Sequence, residues 1–198
     1  MIEFVLASGS PRRSVLLDGM GVDFIVIKPE IDETVRDGET PHDYVQRLSR
    51  EKAEAVTQKL QVDAYVLAAD TTVIHDGEIL GKPVDEDEAR RMLLRLRGQQ
   101  HEVCTGFTLL HFANGSIKTT ITRMTCSAVQ MRFYAASEME NWINSGEAFD
   151  KAGAYAIQSE SFAPVEVVEG SYDNVVGLPT EALKVALDEI GYSSSGVL

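Results

Sequence analysis

Four groups of residues have the types and spacing that phosphate chemistry needs. The first is Ser8-Gly9-Ser10-Pro11-Arg12-Arg13, where an apolar stretch ends, a small-residue turn follows and a helix begins. Ser10 suits the N-cap and Pro11 the first helical position. A helix start offers unbonded N–H groups and a positive dipole end, which suits an anion. Gly9 lets a backbone approach a ligand closely. Arg12 and Arg13 oppose the dipole in that first turn, and a docked anion relieves the conflict. Their guanidinium forks also match phosphate oxygens. The alternative is a capped helix with two surface arginines, and the spacing is not that of a P-loop.

The second group is Asp70 with Thr71 and Thr72 after it. The sequence predicts Asp70 at the end of a buried strand, where ligand groups gather in open α/β sheets. A carboxylate there can hold a metal or activate water, or else bond to N–H groups of its own turn. The third is the acidic loop with Glu30, Asp32 and Glu33, one of which would complete a divalent-cation site with Asp70. A solvated acidic loop is the plainer reading. The fourth is a pair of lysines: Lys52 within a largely apolar helix face, and Lys82 between a glycine and a proline. Either can reach triphosphate oxygens, as can Lys151, although surface lysines are common. The four histidines, two of them in predicted strands, show no metal-ligand spacing, the cysteines make no CxxC, and there is no GxSxG.

The elements that must position these groups follow from pattern and punctuation. Strands are predicted at 3–7, 22–27, 65–69, 101–112, 117–133 and 164–168, with a loop and then a strand at 150–158. Helices are predicted from Pro11 to about Met20, with Val15, Leu16 and Met20 on one face and Gly21 as C-cap. Others run from Pro41 to near Leu60, from Asp85 to Gly98, from Ser137 (with Glu140) to Gly146, and from Pro179 to Gly191. Asp76-Gly77 and Asn114-Gly115 mark hairpins. Strands and helices alternate early and hairpins dominate the middle, so the expected fold is α/β with a mixed sheet.

The chain has 198 residues, 44% hydrophobic and 25% charged, an ordinary globular composition. Its 18 Lys and Arg stand against 31 Asp and Glu, a formal charge of −13. So acidic a surface repels nucleic-acid backbones and anionic lipid, so no stable nucleic-acid complex and no membrane partner are expected. No apolar run reaches the roughly 20 residues of a membrane span, and no signal peptide is read at the N-terminus. Two cysteines give no disulfide framework. A reduced, cytoplasmic protein is expected, with one Cys104–Cys126 pairing left open. The tail 193–198 is expected to be mobile.

Seven stretches occur in one order: 6–13 (LASGSPRR), 30–33 (EIDE), 47–53 (RLSREKA), 67–72 (LAADTT), 78–83 (EILGKP), 150–158 (DKAGAYAIQ) and 175–179 (VVGLP). Together they resemble the Maf family of nucleoside triphosphate pyrophosphatases, related to the inosine triphosphatase fold. The resemblance spans residue 1 to about 190. It implies one Maf-like domain, an elongated twisted mixed sheet flanked by helices in two lobes with a central cleft. It implies cleavage between the α and β phosphates, a Mg²⁺ or Mn²⁺ cofactor and a homodimer. Asp70 is then the catalytic carboxylate, and Ser8, Arg12 and Arg13 form the phosphate loop. Lys52 and Lys82 face the triphosphate, and Glu33 helps Asp70 place the metal. Arg13, Thr71 and Gln158 match the members directed at dTTP and UTP; the tryptophan tied to 7-methyl-GTP is missing from the first motif. A glutamine amide donates and accepts, which suits the carbonyl–NH–carbonyl edge of uracil or thymine. The family is also linked with arrest of cell division, so a nucleotide-binding regulator is the alternative.

Overall fold

The computed structural model describes residues 3–192. Its strands are β1 (Glu3–Leu6), β2 (Ile25–Val26), β3 (Ala64–His75), β4 (Glu78–Leu80), β5 (Gln100–Ala113), β6 (Ser116–Met131) and β7 (Val165–Glu169). Its helices are α1 (Pro11–Asp18), α2 (Pro41–Thr57), α3 (Glu86–Leu96), α4 (Ala136–Asn144), α5 (Tyr172–Val176) and α6 (Thr180–Ile190). The strands form one mixed sheet in the order β2-β1-β3-β5-β6-β7, with β4 also on β3. β1 runs parallel to β2 and β3, whereas β4 and β7 pair antiparallel. The expected mixed α/β fold is therefore present.

Two compact units divide the chain. The first comprises 1–70, 105–125 and 177–198; the second comprises 71–104 and 126–176. In the first unit β1 and β3 are buried on both faces. Phe4, Leu6, Leu67 and Ala69 pack with Leu17 of α1 and Leu183 and Leu187 of α6. Val5, Ala7, Val66 and Ala68 pack with Ala53 and Val56 of α2. Such near-continuous apolar runs are what a parallel strand covered on both sides requires. In the second unit Met92, Leu93 and Leu96 of α3 join Trp142 and Ile143 of α4 and the aromatic rings of Tyr134, Tyr155 and Phe162.

Several boundaries move from those the sequence suggests. Asp70 does not end its strand: β3 runs on to His75, because β4 pairs with residues 73–75 beyond Leu67, where the pairing with β1 stops. The same extension, with β5, puts three of the four histidines in strands. Only Ile25–Val26 of 22–27 is strand. Residues 152–154 form a 3₁₀ turn and no strand follows, since Gly153 and Ala154 take φ of 68° and 61°. α1 stops at Asp18 and buries Leu17, leaving Val15 69% exposed. α4 starts two residues early, with Glu138 Oε2 accepting from Ala135 N at 2.7 Å. Thr40 and Asp85 cap their helices as expected. Cys104 and Cys126, expected reduced, are joined as a disulfide with Cα atoms 4.1 Å apart. The tail 193–198 lies outside the described residues.

The second unit also carries a buried titrating group. His101 Nε2 lies 2.8 Å from the Tyr155 hydroxyl, and the residue is 5% exposed. Burial, with a smaller contribution from His75, pushes its pKa down to about 4. The unfolded chain binds this proton from about pH 6.5 and the folded chain does not. Stability is therefore full above pH 6.5 and falls as pH drops towards 4, by about 3 kcal/mol from this group. Denaturant unfolding at several pH values checks this. His101→Gln flattens the slope between pH 6.5 and 4; an unchanged slope assigns the acid sensitivity elsewhere.

Candidate active site

The site is built inside the first unit, where β1, α1, the 28–39 loop, α2 and β3 bring their chemistry together. β1 ends at Leu6, and the N–H of Ala7 just after it still bonds to Leu67 O at 2.7 Å. The chain then turns, with Ser10 extended at φ −82° and Pro11 opening α1. Ser10 occupies the N-cap position, but its side chain makes no capping bond. The Ser8 hydroxyl, nearly buried, accepts from Ser10 N and from Arg13 Nη1, each at 3.2 Å. Arg13 Nε donates to Gly177 O at 2.9 Å. Burial lowers the Arg13 pKa, Arg12 adds to this, and the charges of Asp70 and Glu33 oppose it. Arg13 is thus fixed at both ends of its fork, unlike the surface arginine of the plainer reading.

α2 supplies the centre. Its apolar face packs on the sheet through Val45, Leu48, Ala53 and Val56, and Lys52 is buried in the same face at 7% exposure. Lys52 Nζ donates to Asp70 Oδ1 at 2.6 Å and to Glu33 Oε1 at 2.9 Å. Asp70 is also 7% exposed, placed on β3 just past the point where β1 ends. A buried ammonium demands paired, hydrogen-bonded carboxylates. Here it draws Glu33 in from an otherwise exposed loop.

The loop also decides between its acidic residues. Asp32 accepts from Thr34 N and Oγ1 at 2.9 and 2.6 Å, so its carboxylate shapes the local turn. Glu33 alone of the three candidates makes an ion pair with Lys52. Asp70 Oδ1 and Glu33 Oε1 converge on the Lys52 ammonium itself; a divalent cation such as Mg²⁺, which takes one or two carboxylates beside phosphate and water, would draw on these same two side chains.

Thr71, Lys82 and Gln158 lie in the second unit. Thr71 is half-buried on β3, next in sequence to Asp70. Lys82 and Gln158 are exposed in loops. The Lys82 loop is tied down by Gly153 N, which donates to Gly81 O at 3.0 Å. A Cβ on Gly153 would come within 3.0 Å of Val73. Lys151 is engaged by Glu147 O and Asp150, with its ammonium over the Trp142 ring.

Sequence reasoning missed three participants. Tyr44 donates its hydroxyl to Glu33 O at 3.0 Å. Its pKa is pushed up to about 12, by burial first and then by the charges of Asp70 and Glu33. The stem of Lys28 lies over Gly9, with Cε 3.1 Å from where a Cβ would stand. Arg47 holds the loop from α2. Tyr44 falls at an apolar position of the helical pattern, Arg47 opens the 47–53 stretch with no role attached to it, and nothing in the sequence sets Lys28 apart from surface cations.

A family model described as Maf-like protein matches residues 3–190. The chain belongs to the Maf family. It is 47% identical over 189 residues to a dTTP/UTP pyrophosphatase of Hahella chejuensis, covering 94% of this chain and 92% of that one. It is 45% identical over 196 residues to a dTTP/UTP pyrophosphatase of Halalkalibacterium halodurans, covering 98% and 99%. Among solved structures, the Staphylococcus aureus Ham1 protein aligns with a TM-score of 0.50 at 14% identity, covering 94% of this chain and 98% of that one. That likeness shows the shared fold of this Maf chain.

Proposed function

We propose that this Maf chain hydrolyses dTTP and UTP, plain or modified, to the nucleoside monophosphate and pyrophosphate. The observation that carries the reading is Lys52, buried and bridging Asp70 and Glu33 beside the Ser8–Arg13 loop. A cation between two carboxylates, next to a fixed arginine and an uncapped helix start, suits a polyanion and the water that attacks it. The Maf relatives named above, at 45–47% identity, support the same reaction and the same bases.

In the proposed reaction Ser8, Arg12, Arg13, Lys52 and Lys82 bind the phosphates. They reverse the field of a chain whose net charge is −13. Asp70 and Glu33 would hold a divalent cation, Mg²⁺ or Mn²⁺, which would supply positive charge against the phosphate oxyanions. Asp70 takes the proton of the attacking water or holds the cation, and Lys52 Nζ donates to it at 2.6 Å. Water bonds to the α phosphorus, the α–β anhydride bond breaks, and pyrophosphate leaves. The cytoplasmic setting, the homodimer and a nucleotide-cleaning role belong to the same proposal. No feature of the described residues favours the regulatory alternative.

The experiment is to incubate the protein with Mg²⁺, then Mn²⁺, and each common nucleoside triphosphate, measuring monophosphate and pyrophosphate together. Equal release of both from dTTP and UTP is expected. Release of single phosphates, or no turnover of any base, overturns the reading. Base choice is assigned to Arg13, Thr71 and Gln158. A site of paired polar groups rejects bases that leave those groups unpaired. Gln158→Ala is accordingly expected to narrow the preference for UTP over CTP by roughly tenfold or more, a lost pair of polar contacts. An unchanged ratio removes Gln158 from the specificity set.

A further inference from the structure

The segment that delivers Glu33 has almost nothing of its own to hold it. Residues 32–38 are all exposed, and Val35, its one apolar side chain, is 46% exposed. Ordering such a segment costs entropy that no burial in the core offsets. What ties it to α2, besides the Tyr44 hydroxyl on Glu33 O, is Arg47. Nε and Nη2 donate to the two oxygens of Glu39 at 2.5 and 2.7 Å, Nη2 donates to Thr34 O at 3.1 Å, and Nη1 donates to Glu51 Oε2 at 3.0 Å. The side chains of Arg47 and Glu39 are 12% and 8% exposed. The pair with Arg47 holds the Glu39 carboxyl down at about 2, so it stays ionised near neutral pH. By contrast Arg36, 64% exposed in its pair with Glu51, adds little.

The bond to Thr34 O falls on the residue after Glu33, and Lys52 follows Arg47 by five positions on the same helix. One helix therefore anchors both the backbone beside Glu33 and the ammonium that its carboxylate meets. We propose that Arg47 is a positioning residue of the site: it locks the 33–39 loop to α2, so that Glu33 stays on Lys52 beside Asp70. The inference rests on the pyrophosphatase reading, which gives Glu33 its work.

The test is a double-mutant cycle with a second readout that needs no turnover. Arg47→Ala is expected to lower kcat/KM for dTTP roughly 10–100-fold, as loss of a group that orients a ligating side chain does. In a Glu33→Gln background the same change is expected to cost less than about twofold, since Arg47 acts through Glu33. Amide hydrogen exchange across 33–39 is expected to quicken in Arg47→Ala. Arg47→Lys keeps the charge without the fork and gives a smaller loss with the same dependence on Glu33. It serves if the alanine variant does not fold. Equal losses in both backgrounds, or exchange at 33–39 unchanged by either substitution, overturns the inference. If the unmodified chain releases no pyrophosphate, the functional reading fails separately, and exchange alone decides whether Arg47 holds the loop.

Discussion

Asp70→Asn is expected to abolish pyrophosphate release from dTTP and UTP while the chain stays folded. The amide is nearly the same size as the carboxylate, and its oxygen can still accept from Lys52, which keeps Glu33 at 2.9 Å. Lys52 is therefore not left as an uncompensated buried charge, the case that destabilises most. What the amide lacks is the negative charge that binds a cation and the basicity that takes a proton from water. Loss of a general base alone costs about 10²–10⁴ in rate, and loss of a metal ligand adds to it. Turnover at fixed Mg²⁺, with thermal unfolding of the same sample, checks both halves. Activity within about tenfold of the unmodified chain would remove Asp70 from the chemistry and leave it as the partner of the buried lysine 2.6 Å away.

This aspartate also shows what the sequence makes legible. The run YVLAAD marks a buried strand with a carboxylate at its close, and only the closing point is wrong. Strand length depends on partners, and β4 extends β3 beyond Asp70 in a way the local pattern does not reveal. Proline, glycine and capping residues placed α2, α3 and α6 well, because these signals act within a turn of their own position. The stretch 150–158 misled because Ala154 and Ala156 alternate with Tyr155 and Ile157 and so imitate a strand, whereas Gly153 takes a positive φ beneath Val73. The unit boundaries were invisible for a physical reason. Three of the four cuts, at 70/71, 104/105 and 125/126, fall inside β3, β5 and β6, where no linker composition exists to be read; the fourth, at 176/177, falls where α5 ends. Within the site, Ser8, Arg13, Glu33, Lys52 and Asp70 were all named, and the structure brings them together. The residues that hold them, Arg47 and Tyr44, were not singled out, since their value lies in contacts between the loop and α2 that only the fold creates.

Gly106 is the position where a single methyl group should do most damage to that arrangement. It lies on β5 in the first unit, against the backbone of α2. A Cβ there would stand 2.6 Å from Val45 O, 2.7 Å from Val45 C and 2.9 Å from Gln46 N. These are backbone atoms, so no side chain can swing aside and the helix itself must move. Overpacking of this kind costs about 1–3 kcal/mol, and Gly106→Ala is expected to lower Tm by roughly 2–12 °C in a chain of this size. The larger effect falls on the site. α2 carries Tyr44, Arg47 and Lys52, so moving it shifts the ammonium from both carboxylates and loosens the loop anchor together. A displacement of about 1 Å at reacting groups can cost on the order of 100-fold in rate. Gly106→Ala should therefore lose kcat/KM out of proportion to its loss of stability, measured well below its own Tm. An alanine variant with unchanged Tm would show that α2 does not press on β5 at this point. One with lowered Tm but full activity would show that the helix yields near Val45 without carrying Lys52 along. The two outcomes separate the packing of α2 from its role in aligning charge, which the fold joins at one glycine.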